Sequence, residues 1–365
     1  MYNKRIQTIQ EALRRKKLDA LLVGQPQNRR YLSGYAAEDT SIAESSGFLL
    51  VPLRKRPLLL TDFRYKLQAE EEAPDYEVAL YQKGFLALLA TLLPRLGIKR
   101  LGFESHYFLH SAALKLIDLL RKKGGQAVAT TGLVEACRVA KSSGEIERIE
   151  RAVQLNEKVF ETVFKEMRPG RTEREIALQI ELLTRQLGAE AVSFPPIVAA
   201  GPNGAKPHAV PTYRPIREGE PVIVDMGCIL DGYCSDMTRT VVLGTPDDKT
   251  LNFIRLVRKA QKEAMAGIKA GLTCRQADQL ARKVITAAGY GHQFGHGLGH
   301  GVGLAVHESP SLSRRSRKKL QAGMVVTVEP GIYLPDWGGV RLENMVVVEE
   351  DGCRNLNTDT TWLDV

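Results

Sequence analysis

The sequence predicts two domains: an α/β domain over residues 1–132, and an α+β domain over 133–365 built from two related halves. Three observations carry this. Short apolar runs alternate with amphipathic helical patterns through the first third of the chain, a helix-capping signal near residue 142 restarts the pattern, and the remainder repeats itself at an offset of 101 to 104 residues. With 365 residues, 44% of them apolar, the chain exceeds one ordinary core and can fill two.

In the first domain, residues 18–23, 48–51, 58–61, 76–81 and 101–104 read as strands, being short apolar runs set between polar or turn-forming residues. Helical patterns over 6–17, 84–96 and 107–123 lie between or beside them. The domain offers no cluster of ligand-type residues. His106 and His110, one helical turn apart, are expected as a surface or packed pair rather than a metal site.

The boundary falls near 132–144. Ser142-Ser143-Gly144-Glu145 has capping-box spacing and opens a long helix whose buried stripe runs through Ile146, Ile149, Val153, Phe160, Val163, Phe164 and Met167. Thr172 and Glu175 form a second box, and their helix should stop at Gly188.

The repeat follows from four matches in the same order. Gly170-x-Thr172 with a helix ending at Gly188 recurs as Gly271-x-Thr273 with a helix ending at Gly289. The strand from Gly219 to Asp225 recurs from Gly323 to Glu329, each placing a carboxylate six residues after a glycine, and His208-Ala-Val-Pro211 is echoed, at the slightly shorter offset of 99 residues, by His307-Glu-Ser-Pro310. A duplicated half would bring Asp225 and Glu329 face to face about a pseudo-twofold axis.

A carboxylate at the end of a Val-Ile-Val run needs a partner, since burying an unpaired charge costs several kcal/mol. Beyond Asp225, Asp231-Gly232 is a hairpin signal. A two-residue turn there pairs Leu230 with Tyr233 and makes Asp225 and Asp236 diagonal neighbours on one face, able to converge on one or two metal ions. Glu329 and Glu343 form a comparable pair, but Pro330 and an uncertain loop around 336–339 leave their register open. Between the hairpins lies a glycine-rich run with His292, His296 and His300 at i, i+4 spacing. The glycines oppose a helix, and an extended or looped segment that lets an ion or substrate approach the backbone is expected. It fits neither a phosphate cradle nor a dinucleotide fingerprint.

Together these segments, Val224-Asp225-Met-Gly-x4-Gly232-Tyr-x-Ser-Asp236-x-Thr-Arg-Thr240, Gly295-His-Gly-x-Gly-His300-x-x-Gly-x3-His307-Glu, Glu329-Pro-Gly-x-Tyr333 and Gly339-Val-Arg341-x-Glu343, closely resemble the proline-specific M24 metallopeptidases. That family has the pita-bread fold, includes prolidase and aminopeptidase P, and carries a creatinase-type N-terminal domain of fitting length. The resemblance implies five ligands, Asp225, Asp236, His300, Glu329 and Glu343. Asp236 and Glu343 would bridge two divalent ions, Asp225 would complete one site, and His300 with Glu329 the other. Such an oxygen-rich set suits manganese first, with cobalt, zinc or iron also admissible. The implied reaction is hydrolysis of an Xaa-Pro bond by a hydroxide bridging the ions. Glu329 would also shuttle protons, His208, His296 and His307 would contact substrate, and Arg341 would brace the site. His292 receives no role. The implied partners are a proline-containing dipeptide or short peptide and a second copy of the chain in a homodimer.

Three rival readings fit less well. A methionine aminopeptidase would lack the N-terminal domain, a creatinase-like hydrolase would dispense with the ligands, and a non-enzymatic peptide- or protein-binding module of this fold would typically have lost them. The formal charge of +9 suggests no nucleic-acid partner, because the basic clusters at 14–17, 54–56, 121–123 and 314–319 are scattered and not interleaved with aromatics. The start MYNKRIQTIQ has no apolar leader core, and no stretch reaches the roughly 18 apolar residues of a membrane span. The five cysteines are odd in number and form no C-x-x-C. A cytoplasmic protein with reduced thiols is expected.

Overall fold

A computed structural model describes residues 2–365, which divide into two compact units at the junction of Arg138 and Val139. The short helix Glu135–Arg138 thus goes with the first unit.

The first unit is a six-stranded mixed sheet. Its order from edge to edge is Glu77–Leu80, Leu58–Thr61, Phe48–Pro52, Ala20–Val23, Arg100–Glu104 and Gln126–Thr130. Phe48–Pro52 runs antiparallel to both neighbours and the other pairings are parallel. The interior strands are near-continuous apolar runs because side chains on both sheet faces are buried. Tyr2–Lys16, Phe85–Leu96 and His110–Lys122 are the expected helices. The structure adds the helices Pro26–Ser33 and Lys66–Glu72 and the edge strand Gln126–Thr130, whose Ala-rich, half-exposed sequence carries little strand signal. His106 and His110 are exposed.

The second unit shows the repeat in its backbone. Helices Ser143–Glu166 and Glu173–Gln186 precede the first half-sheet, and Asp248–Gly267 and Cys274–Ala287 precede the second. Both capping boxes on the second helix of each pair form, Thr172 with Glu175 and Thr273 with Gln276. Matching glycines take matching left-handed conformations: φ is 94° and 86° at Gly170 and Gly271, and 80° and 84° at Gly219 and Gly323. Even the lone bridges correspond, Thr172 with Pro215 and Thr273 with Lys319.

The half-sheets are ordered Met237–Val242, Pro221–Met226, Ile197–Ala200 and Glu308–Leu312, Gly299–Gly301, Val325–Val328, Asn344–Val348, Cys353–Asn355. Each covers its own apolar cluster against its helix pair, with Phe160, Ile176, Ile180, Val222 and Val224 in the first half and Val257, Ala277, Ile285, Val326 and Val346 in the second. The halves meet where the Glu343 N–H donates to the Thr238 carbonyl at 3.0 Å and the Thr240 hydroxyl donates to the Arg341 carbonyl at 2.8 Å. This seam carries the carboxylates. Among the described residues no helix is long and apolar enough to cross a membrane.

Candidate active site

The first hairpin has the register its turn dictates. Asp231 and Gly232 both take positive φ, 49° and 81°, as a type I′ turn requires. Leu230 pairs with Tyr233, and the same register carries on to Asp225 opposite Thr238. Asp236, two residues before Thr238, is therefore diagonal to Asp225.

The second hairpin keeps one register throughout, with Val328 opposite Asn344 and Gly331 opposite Arg341. Glu329 and Glu343 lie at facing positions where the ladder breaks around Pro330. There the Glu329 N–H leaves the hairpin and donates to the Leu298 carbonyl at 2.9 Å. Among the histidines, His300 lies on the strand Gly299–Gly301, and 292–298 is looped rather than helical. Gly299 permits this path, since a Cβ there would stand 2.1 Å from the Thr327 carbonyl oxygen.

All nine expected site residues, namely His208, Asp225, Asp236, His296, His300, His307, Glu329, Arg341 and Glu343, line one cavity of about 490 Å³. His292 is exposed and takes no part. The apolar side chains of Phe194, Pro195, Ile197, Ala209 and Val210 also line the cavity.

Donor atoms of Asp236, His300 and Glu343 all lie within 4.8 Å of one another. His300 Nε2 is 3.6 Å from Asp236 Oδ2 and 3.5 Å from Glu329 Oε1. Its Nδ1 lies 3.1 Å from the Gly301 carbonyl, which can only accept, so the proton sits on Nδ1. Burial, followed by the neighbouring His307, pushes the imidazole down to about 4. A neutral ring therefore turns its bare Nε2 toward carboxylate oxygens, an arrangement of acceptors suited to binding a cation.

The carboxylates point the same way. Asp225 Oδ2 accepts from Arg341 Nη2 at 2.7 Å and Glu343 Oε2 from the Thr238 hydroxyl at 2.7 Å, while Asp225 Oδ1 and Glu343 Oε1 are buried with no hydrogen-bond partner. Burial, then the charges of Glu343, Asp225 and Glu329, raises Asp236. Burial, then Glu329 and Asp225, raises Glu343. Burial pushes Glu329 up to about 7, with Arg341 opposing the rise. Orphaned oxygens and mutually repelling carboxylates fit a site for hard divalent cations.

Three further residues complete the site. The Tyr333 hydroxyl lies 2.9 Å from His296 Nε2 and accepts from Arg341 Nη1 at 2.9 Å. Thr327 Oγ1 accepts from the His300 N–H at 3.0 Å and donates to Glu329 Oε1 at 3.1 Å. Thr238 holds Glu343. The signal for both threonines is strand alternation, Thr327 standing two residues before Glu329 and Thr238 two after Asp236. Arg341 Nη2 pairs with Asp225 Oδ2 at 2.7 Å.

Residues 147–350 match Metallopeptidase family M24, and residues 5–140 match the Creatinase/Prolidase N-terminal domain. The chain belongs to metallopeptidase family M24. An Xaa-Pro dipeptidase of Pyrococcus horikoshii is 34% identical to this M24 chain, over 97% of either sequence. Among solved structures, the Xaa-Pro dipeptidase from Bacillus anthracis superposes with a TM-score of 0.92 at 36% identity, covering 98% of both chains. The X-Pro aminopeptidase from Thermotoga maritima does so with a TM-score of 0.86 at 35% identity, covering 94% of this chain and 96% of that one. The M24 chain is thus a hydrolase acting on peptides with divalent metal ions, with a creatinase-type domain ahead of a pita-bread catalytic domain.

Proposed function

We propose that the enzyme hydrolyses the peptide bond preceding proline, in dipeptides or at the N-terminus of short peptides. The observation that carries this is the cavity itself, which is lined both by the five ligand-type side chains and by the apolar side chains of Phe194, Pro195, Ile197, Ala209 and Val210. A pyrrolidine ring is apolar and its amide has no N–H to satisfy, so such a lining suits it. Two relatives named for Xaa-Pro and X-Pro cleavage support the same reading.

Asp225, Asp236, His300, Glu329 and Glu343 would hold two divalent ions, manganese first by the hardness of the donors and cobalt, zinc or iron next. When bound, such ions acidify water and polarise a carbonyl. Glu329 takes the proton of the attacking water and passes it to the leaving proline nitrogen. His208 and His307 line the cavity as substrate contacts. His296, held neutral by a value near 4, donates from Nδ1 to the Gly297 carbonyl at 2.8 Å and receives the Tyr333 hydroxyl at Nε2. It contributes to substrate binding as a fixed wall. Arg341 holds Asp225.

The deciding assay offers manganese-loaded enzyme Ala-Pro, Arg-Pro-Pro and Ala-Ala, reading released products. Cleavage of Ala-Pro alone marks a dipeptidase, cleavage of Arg-Pro-Pro an aminopeptidase, and cleavage of Ala-Ala alone overturns the proline reading. We also place the enzyme in the cytoplasm as a homodimer. Five free thiols suit a reducing compartment, and exposed Phe63 and Leu67 suit a subunit contact. Light scattering should give twice the 40.4 kDa chain mass.

A further inference from the structure

The helix Cys274–Ala287 carries a buried ion pair that the proposed reaction does not use. Arg282 donates from Nε to Asp278 Oδ2 and from Nη2 to Oδ1, both at 2.7 Å, with side chains 6% and 0% exposed. Apolar residues of similar volume often serve stability as well as a buried ion pair. The pair therefore invites a reason in what it touches.

It touches the backbone of one segment. Arg282 Nη1 donates to the Phe294 carbonyl at 2.7 Å and Nη2 to the His296 carbonyl at 2.6 Å, while the guanidinium lies 4.0 Å above the Phe294 ring. Asp278 Oδ1 accepts from the Leu298 N–H at 3.1 Å. Residues 294, 296 and 298 are thus gripped from one side. On another, Gly297 passes so close to the Leu312 carbonyl oxygen that a Cβ would stand 2.8 Å from it. The grip reaches the active site twice: His296 meets the Tyr333 hydroxyl, and the Leu298 carbonyl holds the Glu329 N–H.

The internal repeat supplies a control. At the offset of 101 residues that relates Thr172 to Thr273, Asp278 and Arg282 correspond to Ala177 and Glu181, the first buried and the second exposed. The equivalent helix dispenses with the pair in the half that has no histidine segment.

We propose that the Asp278–Arg282 pair is a positioning device that clamps segment 294–298, fixing the His296 ring against Tyr333 and the backbone of Glu329. Neither side chain lines the cavity, yet turnover depends on both. The test uses the double variant D278A/R282M, which strands no charge, and Arg282→Lys, which keeps a cation but loses the fork. In metal-free protein labelled with ¹⁵N-histidine, wild type should show His296 as a single neutral tautomer protonated at Nδ1. The folded double variant should show its ring signals shifted or broadened, with those of exposed His106 unmoved.

Turnover rests on the Xaa-Pro reading above. In the double variant kcat should fall about 10- to 100-fold, and Arg282→Lys should recover part of the loss. In a His296→Ala background the double substitution should cost kcat less than it does in wild type, the remainder acting through Glu329. Wild-type His296 signals in the folded double variant overturn the clamp, as does an undiminished kcat loss in the His296→Ala background. If the double variant fails to fold, Arg282→Lys carries the same ring measurement. If wild type cleaves no Xaa-Pro peptide, the substrate reading fails and the ring signals alone decide the clamp.

Discussion

Asp225 and Glu343 each satisfy one carboxylate oxygen with a protein donor and leave the other buried without one. The proton is the cation that metal-free protein can recruit, and the raised Glu329, Asp236 and Glu343 are the groups that recruit it. The linkage has a definite sign. A carboxyl whose folded value lies above its unfolded one contributes stability at low pH that is lost as pH rises through the folded value, for Glu329 about 7. Melting of chelated enzyme should therefore fall between pH 5 and 8, while metal-loaded enzyme resists the fall because ions replace protons. A chelated melting curve that climbs over this range would contradict the raised carboxyls. Glu329→Gln should melt like wild type when chelated at low pH, yet lose about 10²- to 10⁴-fold in kcat in a product-release assay.

At the scale of elements, the hairpins show what a sequence can and cannot specify. Asp231-Gly232 fixes a register because its two left-handed residues admit one turn geometry, so Asp225 and Asp236 were legible as a pair. Glu329 and Glu343 were legible as residues but not as facing partners. Their turn spans three residues between Leu334 and Gly338, and Pro330 interrupts the ladder, so local chemistry left several registers open. The short helix Pro26–Ser33 and the edge strand Gln126–Thr130 escaped because neither has enough apolar periodicity to stand out. Two substitutions test the elements. Gly232→Val, at φ 81°, should cost about 1–3 kcal/mol in denaturant melts. Gly299→Ala should lower metal content measured on purified protein, since its Cβ would stand 2.1 Å from the Thr327 carbonyl oxygen and His300 is the next residue.

Across the whole molecule, the most readable feature was the repeat, because matching turns need matching glycines wherever they fall. The clamp on segment 294–298 was invisible by the same logic: Asp278 and Arg282 break the repeat, and a pair spaced i, i+4 on a helix looks like surface decoration until its burial is known. The two halves share a frame but differ in the donors they contribute, two aspartates from one and an imidazole with two glutamates from the other. In the proposed ligand set Asp236 and Glu343 are shared, so one ion would be completed by Asp225 alone and the other by His300 with Glu329, and the two should not be equivalent guests. Titration calorimetry of chelated enzyme with manganese should resolve a tight first uptake and a weaker second, so that at scarce metal the population would be dominated by singly loaded enzyme.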